Sequence, residues 1–172
     1  MKTLSLLRHA KSSWDDPALD DAERPLADRG RAAAPRMGRH MADNGPRPDT
    51  ILCSPARRTR ETLALLGDPG LDVPVRFDPA LYGGGPDAVL DRVRAVDDAA
   101  GHVLVIGHNP DLESLAAELA ARDGSSDADA LGRMERKYPT AALAVFRVPA
   151  DSWADVRAGG CPLLGFTRPK DL

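Results

Sequence analysis

Short apolar runs alternate with longer segments in which apolar side chains recur at helical spacing. Strands are predicted where apolar and β-branched residues cluster, over residues 3–7, 49–53, 73–77, 102–106, 140–148 and 161–167. Helices are predicted over residues 28–44, 55–66, 87–96 and 110–122. Strands that alternate with helices are typical of a three-layer α/β/α sandwich with a mostly parallel central sheet, and residues 161–167 would add one antiparallel strand.

Loop signals separate these elements. Residues 11–24 are polar and contain turn-forming Asp and Pro residues, so we expect a loop over the end of the first strand. Ser54-Pro55 and Asn109-Pro110 each follow a strand, and a capping side chain before a first-turn proline is typical of a helix start with free backbone amides. Gly83-Gly84-Gly85 predicts a flexible loop.

Composition narrows the class of protein. The chain has 172 residues, which fits one domain spanning 1–172, and its 42% hydrophobic and 28% charged residues are ordinary for a globular protein. The N-terminal residues lack the apolar core of a signal peptide and no run is long enough to span a membrane, so we expect a cytoplasmic protein. A net charge of -3 favours no nucleic-acid partner. Cys53 and Cys161 are too far apart for a CxxC pair, so no metal or other cofactor is predicted.

Chemistry-bearing residues follow three of the predicted strands. Arg8 and His9 follow the first strand, Arg58 lies shortly after the second, and His108 follows the fourth. Because ligands bind beyond the carboxyl ends of parallel strands, these four side chains are expected on one rim. Two arginines and two helix amino termini favour a phosphate group, and an unprotonated histidine beside it can act as a nucleophile. The second histidine and the arginines would then stabilise the transition state.

Taken alone, each residue also has a structural interpretation. Arg8 could be a surface cation and His9 a hydrogen-bonded structural histidine. Three arginines, Arg57, Arg58 and Arg60, cannot all face one site. Other catalytic classes fit poorly, because the chain lacks the Cys-x5-Arg loop of cysteine phosphatases, the HExxH pattern of zinc hydrolases and the GxSxG turn of serine hydrolases.

Three motifs occur in the order typical of one family. Arg8-His9-Ala10, Ser54-Pro55-x-x-Arg58-Thr59-x-Glu61-Thr62 and Gly107-His108-Asn109 resemble the signature of the histidine phosphatase superfamily. Within it, Lys11-Ser12-Ser13-Trp14, Arg24-Pro25-Leu26 and Arg168-Pro169 resemble the SixA-type phosphohistidine phosphatase branch. The resemblance implies a phosphoglycerate-mutase-like fold and hydrolysis through a phosphohistidine enzyme intermediate without a metal.

The resemblance also implies a role for each matched residue. His9 would be the nucleophile, with Arg8 binding the phosphoryl group beside it. Arg58 would be the second phosphate-binding arginine, and His108 the histidine that completes the pocket. Ser12 falls where many members have a small polar residue that contacts the phosphate.

The chain departs from larger members of the family at the general acid. Where many of them carry a glutamate, this chain reads Asp78-Pro79-Ala80-Leu81-Tyr82-Gly83, so Asp78, Tyr82, Asp15 and Asp16 are the candidate proton donors. An alkoxide leaving group needs a proton, typically for about 10²- to 10⁴-fold in rate, whereas a phosphoramidate departs more easily. The absence of a clear acid and of large lid insertions therefore favours a phosphohistidine carrier protein as substrate. A small phosphorylated metabolite handled by a phosphatase or mutase, and a non-catalytic phosphate-binding regulatory module, stay open as alternatives.

Overall fold

The computed structural model describes residues 1–70 and 72–172. Its strands are β1 (Lys2–Arg8), β2 (Thr50–Cys53), β3 (Val75–Phe77), β4 (His102–Gly107), β5 (Leu143–Val148) and β6 (Leu163–Thr167). Its α-helices are α1 (Asp28–Asn44), α2 (Arg57–Leu66), α3 (Pro86–Arg94), α4 (Asp111–Leu119) and α5 (Ala128–Arg136). Within these residues, no helix combines the length and the apolar character that crossing a membrane requires.

The strands form one sheet in the order β3-β2-β4-β1-β5-β6. β3, β2, β4 and β1 run parallel, β5 pairs antiparallel with β1, and β6 pairs antiparallel with β5. Arg8 pairs with Gly107 and Cys53 pairs with Ile106, so β1, β2 and β4 end side by side. This register places the residues that follow the three strands at one edge of the sheet.

Helices cover both faces of the sheet, which explains why its central strand β4 is apolar from Val103 to Ile106. Every residue of β4 is buried, and its side chains alternate between two core clusters. Val103 and Val105 pack in a cluster with Leu90 and Leu112 from α3 and α4. On the other face, Leu104 and Ile106 share a cluster with residues of α1 and α2, namely Met37, Met41 and Leu66. The predicted three-layer α/β/α fold with a mostly parallel sheet is confirmed.

Two predicted helix starts are wrong. α2 begins at Arg57 after an Ala56 cap, and α4 begins at Asp111 with Pro110 in the cap position. Ser54 caps neither helix; its hydroxyl accepts a bond from the Ala56 amide and contacts a ring nitrogen of a histidine after β4. The residues after these strands therefore form turns that hold site side chains, and each helix begins only after its turn.

Helix α5 was not predicted. It is short, at nine residues, and follows a loop segment rich in Asp and Ser. Asp127 caps it by accepting from the Ala130 amide at 2.9 Å, and Ala130 and Met134 are its buried residues. β5 also starts later than predicted, because Ala141 adopts a positive φ of 60° that no strand residue takes.

Helices α1 and α2 are in close backbone contact at Gly38. A Cβ atom on Gly38 would lie 1.8 Å from the backbone oxygen of Leu66, which is far inside contact distance. We expect Gly38→Ala to lower the free energy of unfolding by about 2 kcal/mol or more, because the two helix backbones must separate. Gly132→Ala in α5 is the matched control, since a Cβ there meets nothing within 4 Å. Chemical denaturation should show a stabilised or unchanged Gly132 variant, and equal effects of the two changes would contradict this account.

Candidate active site

The structure brings together the four side chains predicted for the rim. His9 follows β1, His108 follows β4, and Arg58 lies in the first turn of α2. The two histidine rings have centroids 5.2 Å apart. His9, His108 and Arg58 are buried, and Arg8 at the end of β1 is half-buried. The site is thus a mostly buried group of two imidazoles and two guanidinium groups at the carboxyl edge of the sheet.

His9 is held in the orientation that a nucleophile needs. Its Nδ1 lies 2.7 Å from the carbonyl oxygen of Ala10, and because a carbonyl can only accept, Nδ1 carries the hydrogen. The Nε2 lone pair is therefore free. Burial lowers the pKa of His9 to about 3, opposed by the bond to Ala10 and reinforced by His108 and by the nearby arginines. His9 is accordingly neutral near pH 7.

His108 is oriented by Ser54. Its Nε2 lies 2.7 Å from the Ser54 hydroxyl, while its buried Nδ1 has no partner in residues 1–70 and 72–172. Burial lowers the pKa of His108 to about 4, with Arg58 as the next largest cause. With the hydrogen on Nδ1, the ring accepts from the Ser54 hydroxyl and offers a donor to the pocket. A buried donor without a protein partner fits a ligand oxygen.

Asp21 holds Arg58 in place. The guanidinium donates from Nη1 to the Asp21 carbonyl oxygen at 2.7 Å and from Nη2 to its carboxylate at 3.0 Å. The same carboxylate accepts from Arg24 at 2.9 Å and from the Tyr82 hydroxyl at 2.5 Å. Bonds from Tyr82, Arg24 and Arg58 hold the pKa of Asp21 well below its usual range, so it stays ionised. These two bonds use two of the five N–H donors of Arg58, and further donors remain for a ligand.

Asp21 and Arg24 are site residues that the sequence did not reveal as such. In the sequence, Asp21 belongs to a polar segment that predicts only a loop, and Arg24 belongs only to a motif that resembles a family. Asp21 lies in a short 3₁₀ segment, Asp21–Glu23, within the predicted loop. Its partners Arg58 and Tyr82 lie far along the chain, and no periodicity or local motif connects such distant residues. The one sequence signal for the contact between Asp21 and Arg58 is the presence of acidic residues in the loop that follows the Arg8-His9 motif.

Of the candidate proton donors, Tyr82 lies at the pocket. Its ring centroid is 5.4 Å from that of His108 and 5.9 Å from the Arg58 guanidinium carbon. The hydroxyl donates to Asp21, and this bond raises the pKa of Tyr82. Tyr82 therefore keeps its proton near pH 7.

The predicted aspartates lie elsewhere. Asp15 and Asp16 are exposed in the loop after β1, where the Asp16 carboxylate accepts from the Ala18 amide. Asp78 is buried, accepts from the Ala80 amide and pairs with Arg92 at 2.8 Å. The structure therefore does not bring these three carboxylates into contact with His9 or His108.

Arg8 and Ser12 complete the predicted set. Arg8 donates from Nη1 to the carbonyl oxygen of Tyr138 at 3.0 Å, and Asn109 donates to the same oxygen at 2.9 Å. Nε of Arg8 is buried and has no partner in the described part of the chain. The Ser12 hydroxyl accepts from Arg24 at 2.6 Å, so it retains its own hydrogen for another acceptor. In the described ranges, 1–70 and 72–172, no group of three or more His, Cys, Asp and Glu residues is placed to hold a metal ion.

The low pKa values predict how stability depends on pH. The pKa of His9 is about 3 in the folded protein against an ordinary value of 6.5, so unfolding takes up a proton between these values. The contribution of neutral His9 to the free energy of unfolding is therefore fully present above pH 6.5 and is lost as the pH falls towards 3. From about pH 7 to about pH 5, denaturant titration should show a smaller loss of stability for His9→Gln than for the natural protein, by roughly 2 kcal/mol. Equal losses in both proteins would contradict a buried, neutral His9.

Known proteins match this chain over nearly its full length. A model of the histidine phosphatase superfamily (branch 1) matches residues 4–82. Uncharacterized protein Rv1276c of Mycobacterium tuberculosis is 42% identical over 95% of this chain and 100% of its own length. A chloroplastic Arabidopsis thaliana protein, also uncharacterized, is 31% identical over 98% of this chain and 78% of its own.

Solved structures agree with these matches. A Nakamurella multipartitia protein proposed to be the phosphohistidine phosphatase SixA is 35% identical, with a TM-score of 0.85 over 98% of this chain and 96% of its own. A protein proposed to be SixA from Agrobacterium tumefaciens is 27% identical, with a TM-score of 0.78 over 98% of both chains. With this fold and sequence similarity over nearly the whole chain, the protein belongs to the histidine phosphatase superfamily, in its SixA-type branch, and is a histidine-type phosphatase.

Proposed function

We propose that this phosphatase dephosphorylates phosphohistidine in proteins, through a phosphorylated His9 and without a metal. The observation that carries the proposal is the state of His9. Its ring is neutral, its Nδ1 is tied to the Ala10 carbonyl, and its Nε2 lone pair is free beside Arg8, Arg58 and His108. A nucleophile and the groups that would stabilise a transferring phosphoryl group are thus already in place.

The proposed reaction has two steps. In the first, the Nε2 lone pair of His9 forms a bond to phosphorus while the bond from phosphorus to the substrate imidazole breaks. The other ring nitrogen of the substrate imidazole carries a proton, so the electron pair of the broken bond stays on the substrate nitrogen and the imidazole leaves as a neutral group. In the second, water attacks phosphorus, the bond to Nε2 breaks, and the water proton leaves with phosphate or solvent. Arg8, Arg58 and the Nδ1–H of His108 stabilise the charge on the equatorial oxygens in both steps.

The surroundings of Tyr82 support an activated substrate over a phosphate ester. The phenol is the candidate donor at the pocket, but its hydrogen is bound to the ionised Asp21 and its pKa is raised. A phenol with a raised pKa is a weak acid for an alkoxide leaving group. An imidazole leaves more easily, which favours phosphohistidine. The two structural relatives proposed to be SixA phosphohistidine phosphatases support the same substrate class.

The proposal is tested with a chemically phosphorylated histidine peptide and with sugar and glycerate phosphates, each assayed with and without a metal chelator. We expect the peptide to be the preferred substrate, the chelator to have no effect, and an acid-labile, base-stable phosphoenzyme to be trapped by rapid quenching. Preference for the small esters would instead indicate a small-molecule phosphatase or mutase. Phosphate binding without turnover of any compound would indicate a regulatory module. Loss of activity with the chelator would overturn metal independence.

A further inference from the structure

A groove lined with cations lies between α1 and the C-terminal segment 168–170. It has a volume of about 390 Å³ and we call it the basic groove. Five cationic residues line it: Lys11, Arg29, Arg36, Arg168 and Lys170. Among the described residues that line it, none is acidic. This clustering contrasts with the whole chain, whose net charge is -3.

Most of this positive charge is not neutralised by the protein. Arg168 is paired with Asp171, with bonds of 2.8 and 3.0 Å. Arg36 donates to the backbone oxygens of Pro169 and Leu172, so it is already engaged within the protein. Lys11, Arg29 and Lys170 form no ion pair or side-chain hydrogen bond within residues 1–70 and 72–172. Three cations, Lys11, Arg29 and Lys170, are therefore available to an external anionic group.

The sequence of α1 shapes the groove. Arg29 and Arg36 lie seven positions apart, which places them on one stripe of the helix, and the small side chains of Ala32 and Ala33 lie between them. Pro169 faces this stripe from the C-terminal segment. The groove therefore combines small apolar side chains with cationic ones along its lining.

The groove begins beside the active site. Lys11 is two residues after His9, so their Cα atoms lie within roughly 7 Å of each other. Thr140 also lines the groove, and the next residue, Ala141, donates its amide to the carbonyl oxygens of Arg8 and His9. A chain that presents a phosphorylated side chain to His9 can therefore reach the groove with the residues that flank it.

We propose that the basic groove docks an acidic surface of the phosphorylated protein substrate. This inference rests on the proposed function, because it concerns the protein that carries the phosphohistidine. Carboxylates of the partner face Lys11, Arg29 and Lys170, while its apolar side chains cover Ala32 and Ala33. Charge complementarity of this kind chiefly governs encounter and partner choice.

The test uses two phosphohistidine peptides that differ in their flanking residues, one rich in Asp and Glu and the other in Ser and Asn. At low salt the acidic peptide should have the lower KM, by about tenfold, with a similar kcat. Arg29→Ser combined with Lys170→Ser should remove most of this difference. The matched control is Arg136→Ser with Arg157→Ser, which removes the same charge from exposed residues outside the groove and should retain the difference.

The outcomes separate the docking proposal from the proposed function. Fluorescence anisotropy of the unphosphorylated acidic peptide measures docking without turnover, so binding that depends on Arg29 and Lys170 supports the groove even if no phosphohistidine is hydrolysed. Equal KM values for the two peptides, or equal losses in the groove and control variants, would overturn it. Tighter binding of a single-stranded oligonucleotide than of the acidic peptide would also overturn it, because the partner would then be a nucleic acid.

Discussion

Replacing His9 with glutamine is expected to lower kcat by roughly 10⁴-fold or more, because the amide cannot form the covalent bond to phosphorus that Nε2 forms. Glutamine is close to histidine in size and retains a polar group near the Ala10 carbonyl, so the fold should persist. The measurement is turnover of a phosphohistidine peptide, together with rapid quenching to trap phosphoenzyme. No acid-labile phosphate should remain on the variant.

Two controls make the result specific to the nucleophile. Binding of inorganic phosphate, measured by calorimetry, should be retained in His9→Gln because Arg8, Arg58 and His108 are unchanged. His40→Gln is the matched histidine variant, since His40 contacts Asn44 and Thr167 and none of the four pocket residues. It should hydrolyse the peptide at the natural rate. Trapped phosphoenzyme in His9→Gln would show that another residue is the nucleophile.

Replacing Arg58 with alanine is expected to lower kcat/KM by roughly 10²- to 10³-fold, whereas replacing the neighbouring Arg57 should have little effect. Arg58 is buried and bound by Asp21, with N–H donors left for phosphate. Arg57 is more exposed and pairs with Glu61 at 3.5 Å. The two changes remove the same charge from adjacent residues of one helix. A difference in kcat/KM between the two variants therefore measures the contact of Arg58 with the substrate.

Two further variants test how Asp21 acts on Arg58. Arg58→Lys should be more active than Arg58→Ala but less active than the natural protein. An ammonium group lacks the planar guanidinium geometry that lets one side chain bind Asp21 and the phosphoryl oxygens at the same time. Asp21→Asn should chiefly raise KM, since the guanidinium loses its charged partner but keeps its own charge. Steady-state kinetics with the phosphohistidine peptide measure both. An Arg57 variant as damaged as the Arg58 variant would contradict the assignment of the phosphate-binding arginine.

Local patterns predicted most of the sheet because burial on both faces leaves a direct signal in sequence. β4 is apolar at nearly every position and lies at the centre of the sheet, as its pattern indicated. The ends of elements were predicted less well. The turns after β2 and β4 contain residues with helix-start propensity, but the Ser54 hydroxyl contacts His108 and Pro110 occupies the cap position of α4, so the helices begin later.

The sequence by itself determined the alternation of strands and helices, and with it the edge at which Arg8, His9, Arg58 and His108 meet. That inference needs only the rule that neighbouring parallel strands end together. Tertiary structure alone decided that Asp21 binds Arg58 and Tyr82, and that α1 and residues 168–170 enclose the basic groove. These contacts join residues from 37 to more than 130 positions apart, and no local sequence pattern predicts contacts between residues so distant. Only the packing of the folded chain brings them within bonding distance.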